Sequence, residues 1–135
     1  MEVDVRRIQS MKFQLDNGGS GYSISSYSPG RIMVNEEVLT SSFVITPERL
    51  FRDWAPQTFD QLSSAHFASV AELRPEIVVF GSGARLRFPD ASLTRALVEV
   101  GIGLEVMDTG AACRTYNLLV SEGRRVAGAL LMIAG

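Results

Sequence analysis

The chain has 135 residues, room for one ordinary domain and too few for two independent cores. Hydrophobic residues make up 46% and charged residues 21%, which argues against a disordered chain and a pure coiled coil. Thirteen basic residues against fifteen acidic ones give a formal net charge of −2, without the broad basic field of a nucleic-acid binder, and one cysteine with one histidine excludes a disulfide framework or a Cys/His zinc site built from this chain alone.

The N-terminus alternates charged and apolar residues and has no apolar core of a secretory signal, while Glu2 and Asp4 speak against an organellar transit peptide. Residues 16–21, DNGGSG, predict a junction between a flexible arm (1–21) and a single domain (22–135). The first half reads as a β-meander. Tyr22–Tyr27 is a short strand, Ser28-Pro29-Gly30-Arg31 has type II turn chemistry, and Arg31–Val34 alternates with Ile32 and Val34 on one face. Asn35-Glu36 turns the chain again, and Val38-Leu39 and Ser42–Ile45 continue the meander. Thr46-Pro47-Glu48 has the residues of a helix start, for a short helix ending near Trp54. The next helix starts near Ser63 or Ser64, turns Phe67, Val70 and Ala71 inward, and stops at Pro75.

The second half changes rhythm. Ile77–Phe80 is a continuous apolar run, as a strand covered on both faces requires. Ser92–Val100 is a helix, Ile102–Val106 a strand, Thr109 to about Glu122 a helix capped by Asp108, and Arg125–Ile133 a strand. The fold class is α/β: one compact layered domain, an N-terminal β-meander followed by β-α-β-α-β with a mainly parallel sheet. Right-handed crossovers are expected to place both later helices on one side of the sheet. The longest apolar stretch, Val126–Ala134, is about half a membrane span and reads as a buried strand, so a soluble cytoplasmic protein is expected.

In open α/β sheets, ligands approach at the C-terminal ends of parallel strands. Two such ends stand out here: Gly81, Ser82, Gly83, Arg85 and Arg87 after one strand, and Asp108, Thr109 and Gly110 after the next. Arg114 and Asn117 lie on a polar stripe of the following helix with Gly110 and Ser121. Glycines, helical N–H donors and arginines together could hold an anion or a partner. The same residues could equally be turn formers, a cap and a solvated face, and both readings stay open. Arg124 and Arg125 belong to the opposite edge. A dinucleotide site fails because Leu86 stands where the third glycine would be and no helix opens at the loop. Cys113 reads as a buried packing residue rather than a nucleophile, His66 as a helix residue rather than a ligand or base, and Trp54 as core rather than an exposed anchor. No catalytic constellation, metal set or cofactor motif emerges.

The words Gly81-Ser82-Gly83, Phe88-Pro89, Gly101 to Thr109, Ala111 to Asn117 and Ser121 to Ala127, with Tyr27-Ser28-Pro29-Gly30, Thr46-Pro47-Glu48 and Trp54, carry a resemblance over roughly residues 22–132. The chain resembles a small, widespread family of domains of unknown function that includes the mitochondrial NADH–ubiquinone oxidoreductase (complex I) assembly factor 3 and the adipogenesis-associated domain protein. The resemblance implies a layered α/β fold and no catalytic residues to carry over. It also implies an assembly-factor-like role through contacts with a protein partner, such as a subunit of a membrane complex. A homodimer is compatible with the sequence, and nucleic acid is not an expected partner. Two departures are visible: the absence of a mitochondrial presequence, which suggests a bacterial protein, and Glu36 where the family often has glycine. A small-molecule or anion-binding protein, including an enzyme of unknown reaction, using the same Gly81–Arg87 and Asp108–Asn117 edge is the alternative.

Overall fold

A computed structural model describes residues 21–134. The expected arm over 1–21 lies outside the described residues apart from Gly21. Alternating residues give the first three strands. β1 (Ile24–Ser28), β2 (Arg31–Val34) and β3 (Glu37–Leu39) form an antiparallel sheet in the order β1-β2-β3, joined by the Pro29-Gly30 and Asn35-Glu36 turns. Ile24, Ile32, Val34 and Leu39 make its buried face.

β4 (Phe43–Ile45) is buried throughout and does not extend this meander; it pairs antiparallel with the last strand of a second sheet. The helix expected after Thr46 is absent. Thr46 Oγ1 accepts the N–H groups of Glu48 and Arg49, and the chain turns back as β5 (Leu50–Phe51) against β4. The threonine caps a turn instead of a helix, and pairing Leu50-Phe51 with β4 satisfies that strand's outer edge.

After a 3-10 turn at Phe59–Gln61 come α1 (Ser64–Ala71), β6 (Ile77–Gly81), α2 (Ala91–Glu99), β7 (Gly103–Met107), α3 (Thr109–Ser121) and β8 (Val126–Leu130). The β-α-β-α-β series forms as the rhythm predicts, and β8, β6 and β7 are parallel. The second sheet has the order β5-β4-β8-β6-β7. That order corrects one expectation. β7 pairs outside β6 while β8 returns past it to the other side, so two right-handed crossovers run in opposite directions and put α2 and α3 on opposite faces.

Alternation along β6 shows the consequence. Val78 and Phe80 face a core with Phe67 and Val70 of α1, Leu97 of α2, Trp54 and Ala129. Val79 faces the other core, built from Ala112, Cys113, Tyr116 and Leu119 of α3 and the inner residues of the three-stranded sheet. Trp54 is a core residue, set edge-on to Phe67 and Phe80 at 6.0 and 6.5 Å. His66 turns its Nδ1 back to accept the Ser63 N–H at 3.0 Å, a helix-start contact.

Candidate functional site

The ends of β6, β7 and β8 meet at one rim. Ser82 donates its N–H to the Met107 carbonyl at 2.9 Å, and its hydroxyl donates to the Arg85 carbonyl at 2.7 Å while accepting the Arg87 N–H. Thr109 is fully buried. Its hydroxyl accepts the Gly83 N–H at 2.9 Å and donates to the Leu131 carbonyl at 2.7 Å, and its own N–H donates to the Gly83 carbonyl at 2.9 Å. One small side chain therefore ties three chain segments. Gly81 is required by close approach: a Cβ there would stand 2.8 Å from Thr109 Oγ1 and 3.0 Å from its Cα. Gly83 has φ +106, a region that side chains avoid.

The first turn of α3 is capped from within the chain. Asp108 Oδ1 accepts the Ala111 N–H at 2.9 Å, and Thr109 donates as above. Gly110 lies against Tyr27, where a Cβ would come to 3.0 Å of the ring. Arg114 hydrogen-bonds the Tyr27 hydroxyl. Asn117 accepts the Ile24 N–H at 2.9 Å and donates to the Ile24 carbonyl at 2.7 Å. The polar stripe of α3 thus faces β1 and holds the three-stranded sheet in place.

The two arginines of the β6–α2 loop differ. Arg87 lies over the Phe59 ring at 4.0 Å, with Asp60 at 3.4 Å. Arg85 is exposed, and among the described residues it forms no ion pair. Between them and the C-terminal tail is a shallow hollow of about 230 Å³, lined by Phe59, Gly83, Arg85, Arg87 and Met132. Two neighbours escaped the sequence reading. Leu86 and Phe88 are 51% and 69% exposed. The Arg-Leu-Arg-Phe alternation was their signal, since the loop has no strand partner to bury the apolar half.

The rim thus brings together Ser82, Gly83 and Thr109, with Gly81 beneath and Arg85 and Arg87 outside. It does not gather Arg114 and Asn117, which turn toward β1. Arg124 is at the opposite edge, paired with Glu76 at 2.9 Å. Cys113 is buried, and burial pushes its thiol up to about 12 despite the pull of nearby Arg114. A buried, protonated thiol is a poor nucleophile. Among the described residues there is no group of three or more metal-binding side chains, and no helix is long and apolar enough to cross a membrane.

The chain is 31% identical over 127 residues to NADH dehydrogenase (ubiquinone) 1 alpha subcomplex assembly factor 3 of Danio rerio, covering 93% of this chain and 72% of the fish protein. The Bos taurus protein of the same name is 33% identical over 110 residues; the match covers 80% of this chain but only 59% of the cattle protein. A crystal structure of a Bordetella parapertussis protein superposes with a TM-score of 0.80 at 33% identity, covering 85% of this chain and 98% of that one. The sequence profile described as protein of unknown function (DUF498/DUF598) matches residues 24–131, so this chain belongs to that family.

Proposed function

We propose that this protein is a non-catalytic binding module that assists the assembly of a membrane respiratory complex by engaging one of its protein subunits. The likeness to assembly factors along most of the chain is the observation that carries this reading. The rim supplies a chemistry for this contact. The Thr109, Ala111 and Ala112 N–H groups at the helix tip are engaged inside the chain, and Arg85, Leu86 and Phe88 stand outward as one cation beside two apolar side chains. A shallow surface with exposed aromatic and arginine side chains suits a protein partner. The module would work in the cytoplasm.

The test is tagged capture from native cells with subunits of the respiratory complex quantified. Arg85→Glu with Phe88→Ser is expected to reduce their recovery about tenfold or more. Recovery of none of these subunits with the unaltered protein would refute the reading. The alternative, an anion ligand in the hollow beside Arg85, predicts saturable shifts of the Gly83 and Ala84 amides with inorganic phosphate, and these would replace the subunit interaction as the conclusion.

A further inference from the structure

We propose that the outer edge of β7 accepts an extended segment of a partner protein as a sixth strand of the second sheet, and that Glu105 selects a segment carrying lysine or arginine opposite it. The inference uses a different surface from the rim and stands whether or not the rim binds anything.

β7 is the last strand of the sheet, and among the described residues it pairs with β6 alone. Gly103 donates its N–H to the Glu76 carbonyl, and the Met107 carbonyl accepts from Ser82. In a parallel ladder alternate residues point their backbone groups at one neighbour. Gly103, Glu105 and Met107 therefore face β6, while Leu104 and Val106 direct their N–H and C=O groups outward. Proteins usually guard such an edge. The opposite edge is guarded by brevity, since β5 has only two residues. β7 has five residues in unbroken register, with no proline and no bulge.

The surroundings suit a guest strand. Leu104 and Val106 pack partly against the core on the α2 face, leaving apolar surface beside the edge. The end of α2 that leads into β7 also exposes Val98 and Val100. An alternating segment could lay its apolar residues on that side and its polar residues on the other.

Charge decides between guests. Glu105 is exposed and has no ion-pair partner among the described residues. A second copy pairing two-fold through β7 in the register that overlaps all five residues matches Leu104 with the other chain's Val106, and this sets the two Glu105 side chains face to face. Like charges directly opposite destabilise a sheet pair, whereas a cation stabilises it. Glu105 thus disfavours self-pairing and favours a basic guest.

Amide NMR of the full chain tests this, using a capped peptide of about eight residues that alternates valine and threonine around a central lysine. In the free protein the Leu104 and Val106 amides should exchange about tenfold or more faster than those of Glu105 and Met107. The lysine peptide should shift and protect Leu104 and Val106, with affinity about two- to fivefold above its glutamate counterpart. Glu105→Lys should reverse that preference. Val106→Pro, which removes an outward donor, should abolish binding. Because that variant also strains the strand, the charge reversal at the exposed Glu105 is the deciding arm. Equal response to both peptides, or slow exchange at Leu104 and Val106 in the dilute free protein, would overturn the proposal. So would concentration-dependent shifts there without peptide, which would mark a second copy as the occupant.

Discussion

Thr109 shows how much one residue can organise. In the sequence it stands at a candidate binding edge, after a cap and among several small side chains at a helix start, with no sign of this bridging role. The structure makes its hydroxyl both acceptor and donor between two loops that are far apart in the chain. Replacing it with the near-isosteric valine keeps the volume but leaves the Gly83 N–H and the Leu131 carbonyl buried and unpaired. The expected cost is about 2–4 kcal/mol, since orphaned buried groups lose their full desolvation penalty. Denaturant unfolding checks this, and Thr109→Ser should recover most of the loss. Equal loss with serine would mean that the methyl group matters more than the hydroxyl. Cys113 makes the complementary point. Its place near a helix start is visible in the sequence, but its reactivity depends on burial, which only the packed fold defines.

At the level of elements, pattern was readable and pairing was not. The continuous apolar run of β6, the periodic faces of α1 and α3 and the capping Asp108 all sit where their residues predict. Which strand lies beside which is a property of distant segments. β8 inserts between β4 and β6, and that choice moved α3 to the face opposite α2 and drew β4 out of the meander. The same non-locality explains the polar stripe of α3. Read along one helix, Arg114 and Asn117 suggest a solvated face or a groove wall; in the fold, Asn117 hydrogen-bonds the Ile24 backbone on the outer edge of β1, away from its partner strand β2. Asn117→Ala should therefore loosen one layer without dissolving the other. Its two hydrogen bonds are worth about 1–3 kcal/mol together. Hydrogen exchange should accelerate in β1 while the β6 amides keep their protection. Uniform acceleration would show that the two layers unfold as one unit.

For the whole molecule, the parallel strands are tied at both ends, and the two ties differ in kind. The rim at Thr109 is buried and neutral, so its contribution should not change with acid. The opposite end depends on a charge: the Glu76 carboxylate accepts the Arg125 backbone N–H at 3.2 Å and the Arg124 guanidinium at 2.9 Å, joining the start of β6 to the start of β8. Those two contacts, the backbone one first, hold the Glu76 pKa below its usual value. A carboxylate whose pKa is lowered by folding stabilises the native state above its unfolded pKa of about 4.3, and that contribution fades as pH falls through the lower folded value. Glu76→Gln keeps the shape and removes the charge. Urea unfolding at neutral pH should find the variant less stable, and the gap should close as the pH falls below about 4. A gap that persists into acid would mean that Glu76 acts through shape alone. Closure of the gap, together with a Thr109→Val deficit that stays constant over the same range, would establish a sheet anchored independently at its two ends. Such a scaffold can present the upper rim and the β7 edge to partners without having to rearrange either.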